Sequence, residues 1–304
     1  MSDMIVNFWG TRGSIPTPGR STEKYGGNTT CVELRYEDTL IILDSGSGIR
    51  ELGVSLLDEF GARPISGHIV FTHLHWDHIQ GFPFFSCGYM PRNQFTIWGA
   101  PRENGGVKRM LSGQMEGDYF PIPLAAMQAN LDFKEVRQQF QIGNVNVRTQ
   151  PLPHPDGCMG YRFDAGDASF VFATDCELDK IARNSDALLD DHMLAREFDE
   201  KLLDFFRGAN LVVIDCQYTD EVYKTRRGWG HNSVATCIDL IRQTRPDMLA
   251  LTHHDPQSSD ALVSNMTSDA SKRAHELELP TLVFAAREGM KLNVARPKPP
   301  PALF

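Results

Sequence analysis

Within the run Phe71-Thr72-His73-Leu74-His75-Trp76-Asp77-His78, four side chains able to bind a metal ion fall inside six positions, directly after an apolar stretch. Imidazole nitrogen and carboxylate oxygen together suit zinc and, less selectively, manganese or iron. Alternate residues of extended backbone share a side, so His73 and His75 are expected to face one ion. A turn at Trp76 would carry Asp77 and His78 toward a second. The plain alternative, an aspartate capping a helix among surface histidines, accounts poorly for histidines packed this densely.

This pattern resembles the HxHxDH signature of the metallo-β-lactamase superfamily, and the resemblance implies where further ligands lie. His154 sits between Pro153 and Pro155, Asp175 ends Phe172-Ala173-Thr174, and His253 ends Leu249-Ala250-Leu251-Thr252. By that likeness His73, His75 and His154 hold one ion, Asp77, His78 and His253 hold the other, and Asp175 bridges them. The implied cofactors are two divalent ions, zinc first, with manganese or iron as alternatives. His254 competes with His253, but neighbouring strand residues point to opposite faces, so only one is expected at the site. The family pattern selects the residue directly after Thr252. Cys176 competes with Asp175, which is preferred, and the thiol is read as packed. Asp44 resembles the family's structural aspartate, which fastens the ligand loop and binds no metal.

A fold does not fix a reaction. Histidine at position 75, where oxygen-reducing di-iron relatives typically carry glutamate, implies hydrolysis. Gly228-Trp229-Gly230-His231-Asn232-Ser233 resembles an element of the phosphodiesterase branch, typified by the tRNA 3′-processing endonucleases, in which a similarly placed histidine protonates the leaving oxygen. His231 is therefore the expected general acid, against the ordinary alternative of a helix-start residue. The segments 9–19, 25–31, 44–48, 215–223 and 253–256 resemble the cyclic-nucleotide phosphodiesterases of this fold, including anti-Pycsar enzymes. No basic, Gly-rich arm of the kind that grips tRNA is found, and the net charge of −9 opposes a long polyanion.

The expected substrate is thus a phosphodiester in a small, cyclic nucleotide, with no extended nucleic acid and no membrane as partner. A homodimer is implied by resemblance alone. In the expected mechanism the metal pair, held in part by Asp77, lowers the pKa of a bridging water to near 7 for in-line attack. His231 then protonates the departing alkoxide. Arg12, in a Gly-flanked loop, and Lys224, Arg226 and Arg227, just before His231, are candidates for phosphate contact, each with the alternative of a solvated surface cation. Tyr119 and Phe120 are candidates for stacking a base, or else plug the core. Three other readings stay open: hydrolysis of a carbon ester, lactone or lactam; tRNA 3′ processing; and metal-stabilised sensing without turnover.

Such a site needs strands that end at its ligands. Met4–Trp9 reads as a strand and Gly10–Gly19 as a loop, while Cys31–Tyr36 and Thr39–Leu43 flank Glu37-Asp38 as a hairpin. Ile49–Phe60 reads as a helix with Ser47 as N-cap, and His68–Thr72 as the strand leading into the first motif. Further strands are expected at Phe95–Trp98, Val145–Gln150, Gly160–Asp164, Ser169–Thr174, Leu211–Asp215 and Met248–Thr252. Helices are expected at Glu197–Phe206, Ser233–Thr244 and Asp260–Glu276.

Two β-rich halves, each closed by helices, predict an α/β fold: an αββα sandwich of two mixed β-sheets with helices on both outer faces. It is read as one domain over residues 1–295, followed by a Pro-rich tail, 296–304, expected to be extended. Hydrophobic residues at 41% and charged residues at 23% leave enough apolar surface for a sizeable core. No apolar run approaches the roughly 20 residues of a membrane helix, and no signal-peptide pattern opens the sequence. Six cysteines are scattered without a CxxC pair, which reads as reduced thiols in a cytoplasmic protein.

Overall fold

The structure, a computed structural model of the chain, describes residues 2–103 and 105–295. The Pro-rich tail expected at 296–304 lies outside the described residues. Strands Met4–Gly10 (β1), Cys31–Tyr36 (β2), Thr39–Leu43 (β3), Ser66–Val70 (β4), Gln94–Gly99 (β5) and Asn130–Glu135 (β6) precede Gln139–Ile142 (β7), Val145–Leu152 (β8), Cys158–Ala165 (β9) and Ala168–Ala173 (β10). Leu211–Asp215 (β11), Met248–Thr252 (β12), Leu282–Ala285 (β13) and Lys291–Asn293 (β14) complete the set. They form two mixed sheets, ordered β14-β1-β2-β3-β4-β5-β6 and β13-β12-β11-β10-β9-β8-β7. The run β3-β4-β5-β6 is parallel in the first sheet, and β10-β11-β12-β13 is parallel in the second.

The helices are Ile49–Phe60 (α1), Trp76–Ile79 (α2), Gly106–Gln114 (α3), Ala187–Asp190 (α4), Glu200–Phe206 (α5), Asp220–Arg226 (α6), Val234–Thr244 (α7) and Asp260–Glu276 (α8). Alternation along each strand decides which layer a residue joins. In β11, Leu211 and Val213 enter the core between the sheets, whereas Val212 and Ile214 face the layer containing α5, α7 and α8. In β3, Ile41 and Leu43 point to the central core, and Leu40 and Ile42 to the layer containing α1 and α3. Both faces of these strands are dry, which is why their sequences are unbroken apolar runs. The result is the αββα sandwich that the alternation of elements predicts.

Several local expectations need correction. Ser47 does not cap α1: its hydroxyl accepts the Thr29 N–H at 3.0 Å and donates to Asn28 Oδ1 at 2.9 Å, and Gly48 occupies the cap position. The strand expected at 68–72 ends at Val70, because the backbone of Thr72 is drawn to Asp44. The helix expected from Glu197 starts at Glu200, where Asp199 accepts the Leu202 N–H at 2.8 Å. The helix expected from Ser233 starts at Val234, and Ser233 caps it by accepting the Thr236 N–H.

Candidate metal centre

The carboxyl ends of the parallel strands converge on one edge of the sandwich, the usual place for a site in such sheets. Asp44 follows β3, the segment His73–His78 follows β4, Asp175 follows β10, and His253 follows β12. Asp44, Asp175 and His253 each have φ of 58°, in the left-handed region that glycine usually fills. That backbone turns each side chain sharply off its strand and into the cluster. Trp76–Ile79 forms one helical turn with His75 at its N-cap position, so the expected turn at Trp76 is helical.

Among the described residues four overlapping groups of potential ligand atoms result, the atoms of each lying within 4.8 Å of one another: His73, His75 and His154; Asp77, His78, Asp175 and His253; and two that include His231, with His154 and Asp175 or with Asp215 and His253. Asp175 stands between the first two. Its Oδ2 lies 3.6 Å from His73 Nε2 and 3.7 Å from His154 Nε2, while its Oδ1 lies 3.2 Å from both His78 Nε2 and His253 Nε2. Asp77 Oδ2 is 3.3 Å from His78 Nε2 and 3.2 Å from His253 Nε2.

Whether these residues suit metal ions is tested by their unused atoms. His73 Nε2 and His78 Nε2 are buried without any hydrogen bond, although Asp175 is within reach. Buried polar atoms are ordinarily satisfied, and nitrogens aimed between carboxylates at a shared point are what divalent ions require. Two of the outer ring nitrogens agree. His78 Nδ1 pairs with Asp44 Oδ2 at 2.8 Å, and His154 Nδ1 with the Gly230 carbonyl at 2.9 Å, which leaves Nε2 of each turned inward. Asp44 also accepts the Thr72 N–H and hydroxyl, both at 2.8 Å, so it fastens the ligand loop.

Burial and neighbouring charge pull the pKa values of these side chains apart. Burial works against charge on His78, yet Asp175, Asp77 and Asp44 outweigh it and raise its pKa well above the ordinary imidazole value. His73 goes the other way, pushed well below by burial and then by the charge on His78. Burial alone would raise Asp175, but His253, His78 and His73 hold it well below the usual carboxylate range. Loading ions therefore means releasing protons.

His231 sits directly beside this cluster. Its ring stacks on His253 with centroids 4.9 Å apart, and its Nδ1 is 2.8 Å from Asp215 Oδ2. Tyr218 meets the same ring edge-on. Sequence reasoning missed Asp215 and Glu177 as functional residues. Asp215 had one visible signal, a carboxylate ending the dry strand Leu211–Asp215. Glu177, fully buried, accepts Gly228 N–H at 2.7 Å, Gly230 N–H at 2.9 Å and the Tyr223 hydroxyl at 3.0 Å, so it holds the loop that carries His231. No local pattern announces contacts that link positions so far apart in the chain.

The expected competitors separate cleanly. His254 turns away and pairs with the Ala286 carbonyl, while Cys176 packs against Asn232 and Ala173. Of the expected phosphate contacts, Arg12 needs correction. Arg12 is fully buried, and its guanidinium is committed to the carbonyls of Gly26, Asp255 and Ser258, beside Asp260. Lys224 is paired with Glu221, Arg227 with the Leu188 carbonyl, and Arg226 lies over the Trp229 ring at 4.2 Å. The aromatic pair also divides. Phe120 packs edge-on against Phe84, whereas Tyr119 is exposed and lines a cavity of about 840 Å³ beside Leu74 and Trp76.

Comparison with known proteins places this geometry. The beta-lactamase superfamily domain model matches residues 41–254, which include all seven ligand candidates. A ribonuclease Z of Haloarcula marismortui is 22% identical, the alignment covering 97% of this chain and 98% of that one. Among solved structures, the metallo-beta-lactamase fold protein YhfI of Bacillus subtilis superposes with a TM-score of 0.67 at 14% identity, covering 96% of this chain and 99% of the other. A diphosphatase of the PhnP family superposes at 0.64 with 15% identity, covering 95% and 97%. With the family model spanning most of the chain and the two-sheet architecture shared, the chain belongs to the beta-lactamase superfamily and has the metallo-β-lactamase fold.

Proposed function

We propose that the chain is a metal-dependent phosphodiesterase that cleaves a small, cyclic nucleotide, with His231 as general acid. The observation that carries this reading is the His231–Asp215 pair set against the ligand cluster. Expelling an alkoxide from a phosphodiester demands a proton, and a histidine oriented by a buried carboxylate is suited to deliver one. His73, His75 and His154 would hold one ion and Asp77, His78 and His253 the other, with Asp175 shared. Divalent ions at these positions supply Lewis-acid activation of water and neutralise charge on the phosphoryl oxygens.

The protein's own part follows from its bonds. Asp215 accepts a hydrogen bond from Nδ1–H, so the other ring nitrogen is left to serve the leaving oxygen. Stacking on His253 fixes the ring plane, and the carboxylate offsets the positive charge when the ring carries two protons. Asp44 and the Gly230 carbonyl hold His78 and His154 in the tautomers that metal binding uses.

A second reading, RNA cleavage, is favoured by the ribonuclease Z relatives that align along nearly the whole chain. The net charge of −9 supports the small substrate instead. The test uses metal-loaded protein on cyclic mononucleotides, a nitrophenyl phosphodiester and precursor tRNA. His231→Ala is expected to slow the cyclic substrate by roughly 100-fold or more. The nitrophenyl ester, whose phenolate scarcely needs a proton, keeps much of its rate, and metal content is unchanged. Equal losses on both small substrates would assign His231 a binding or structural role. Lost metal would make it a ligand, and tRNA cleavage with inert cyclic nucleotides would establish the second reading.

A further inference from the structure

The loop before His231 is fastened everywhere except at one side chain. Gly228 and Gly230 each give their N–H to a different oxygen of the buried Glu177 carboxylate, at 2.7 and 2.9 Å. The Gly230 carbonyl receives His154 Nδ1, and the Trp229 N–H turns back to the Arg226 carbonyl at 3.1 Å. Both glycines have positive φ, 91° and 94°, and a Cβ on Gly230 would lie 2.3 Å from the His154 ring. The backbone is thus packed directly against His154, one of the proposed ligands. Between the two glycines the Trp229 indole projects outward, 56% exposed, with the Arg226 guanidinium 4.2 Å from its centre.

Single exposed aromatics are common and by themselves mean little. This one differs in its support and its place. A loop tied down on both sides of the residue and a stacked cation restrict the ring, so less freedom is lost when a planar ligand rests on it. Two residues span about 7 Å at most, which puts the Trp229 backbone within a sugar's width of the residue that serves the leaving oxygen.

We infer that Trp229, backed by Arg226 and clamped through Glu177, is the platform on which the base of the substrate's nucleoside stacks. The inference rests on the phosphodiesterase reading above and names the moiety that reading leaves unspecified. Recognition would be by the π-face, tolerant of base identity. Competing exposed aromatics are Tyr119 and Trp76, which line the same cavity.

Binding tests the platform without requiring turnover. Adenosine monophosphate and ribose 5-phosphate are titrated into metal-loaded wild type, Trp229→Ala, Trp229→Phe and Tyr119→Ala. Trp229→Ala is expected to weaken the nucleotide by about 5- to 150-fold, the range for stacking one base, and to leave the sugar phosphate within about twofold. Trp229→Phe restores most of the nucleotide affinity, and Tyr119→Ala leaves both ligands unchanged. Equal weakening of the two ligands by Trp229→Ala would overturn the inference, as would transfer of the selective loss to Tyr119→Ala. So would a wild type that binds both ligands equally well. A preference for nucleotide over sugar phosphate that depends on Trp229 would stand even if no phosphodiester were hydrolysed, so failure of the platform and failure of the reaction assignment give different results.

Discussion

The substitution Asp215→Asn exchanges one carboxylate oxygen for an amide nitrogen and tests the proton chemistry directly. Four donors converge on this buried carboxylate. His231 Nδ1 and the Cys176 N–H reach Oδ2 at 2.8 and 3.3 Å, while Asn232 Nδ2 and the Cys176 thiol reach Oδ1 at 2.7 and 3.8 Å. An amide offers one acceptor oxygen and an NH₂ group. Asn232 cannot turn to accommodate it, because its own oxygen is held by the Leu178 N–H at 3.0 Å. The new oxygen therefore stays toward Asn232, and the NH₂ faces His231 and Cys176. His231 Nδ1 must then accept instead of donate, which keeps the ring neutral, since a second ring proton would meet the amide hydrogens. A neutral imidazole is far too weak an acid to protonate an alkoxide.

The expected loss is the whole general-acid contribution, about 10²- to 10⁴-fold in kcat on a cyclic nucleotide, or roughly 3–5 kcal/mol of barrier. A nitrophenyl phosphodiester should fall far less. Leaving the Cys176 N–H against a donor costs on the order of 1–3 kcal/mol of stability. Turnover of both esters, metal content and thermal melting on one preparation measure all three effects. An Asp215→Asn variant that cleaves the cyclic substrate within about threefold of wild type, with its metals in place, would refute the reasoning.

Gly13→Ala should unseat a ligand from outside the cluster, because the added Cβ would lie 2.3 Å from His253 Cε1 and 2.4 Å from its Nδ1. Metal affinity is expected to fall about 10- to 100-fold, with one of two equivalents lost on dialysis against a weak chelator; retention of both would show that the loop yields. His254 gives a pH signature: burial is the main cause, and with the charge of Arg12 it outweighs the Ala286 carbonyl to push the pKa down to about 4. The unfolded chain, near 6.5, binds more protons between those values, so this stability is fully present above pH 6.5 and lost as pH falls toward 4. The full window is worth about 3 kcal/mol. Metal-free His254→Gln should melt with a flatter acid dependence than metal-free wild type, and identical slopes would exclude His254 as the source.

What could be read beforehand divides along physical lines. Leu211–Asp215 and Met248–Thr252 announce themselves because both faces are dry, and each ends where a polar residue must leave the core. The ligand motif is legible because its chemistry is local, with four donors in six residues. Edge strands are not. Asn130–Glu135 and Gln139–Ile142 do alternate polar and apolar residues, but with two apolar side chains each, mostly only half-buried, the pattern is too short to stand out from a loop. Arg12 misled for a different reason. Glycines beside a cation suggest phosphate, but its carbonyl partners at Asp255 and Ser258 arrive from more than 240 positions away. Asp215 and Glu177 do their work through residues distant in the chain, and only the assembled fold brings those partners to them.

The three left-handed residues at the strand ends, Asp44, Asp175 and His253, have a consequence for engineering. Each holds a conformation that costs a side chain on the order of 1 kcal/mol, and glycine would relieve it at no steric cost. A search for thermostable variants that scores folding alone will therefore be drawn to these positions, and every gain there removes one of the proposed metal-binding side chains or the group that orients His78. Stability and function pull in opposite directions at three separate points. Libraries aimed at robustness should hold all three fixed, and an aspartate or histidine in this conformation just after a parallel strand is a mark to look for when choosing which positions to protect.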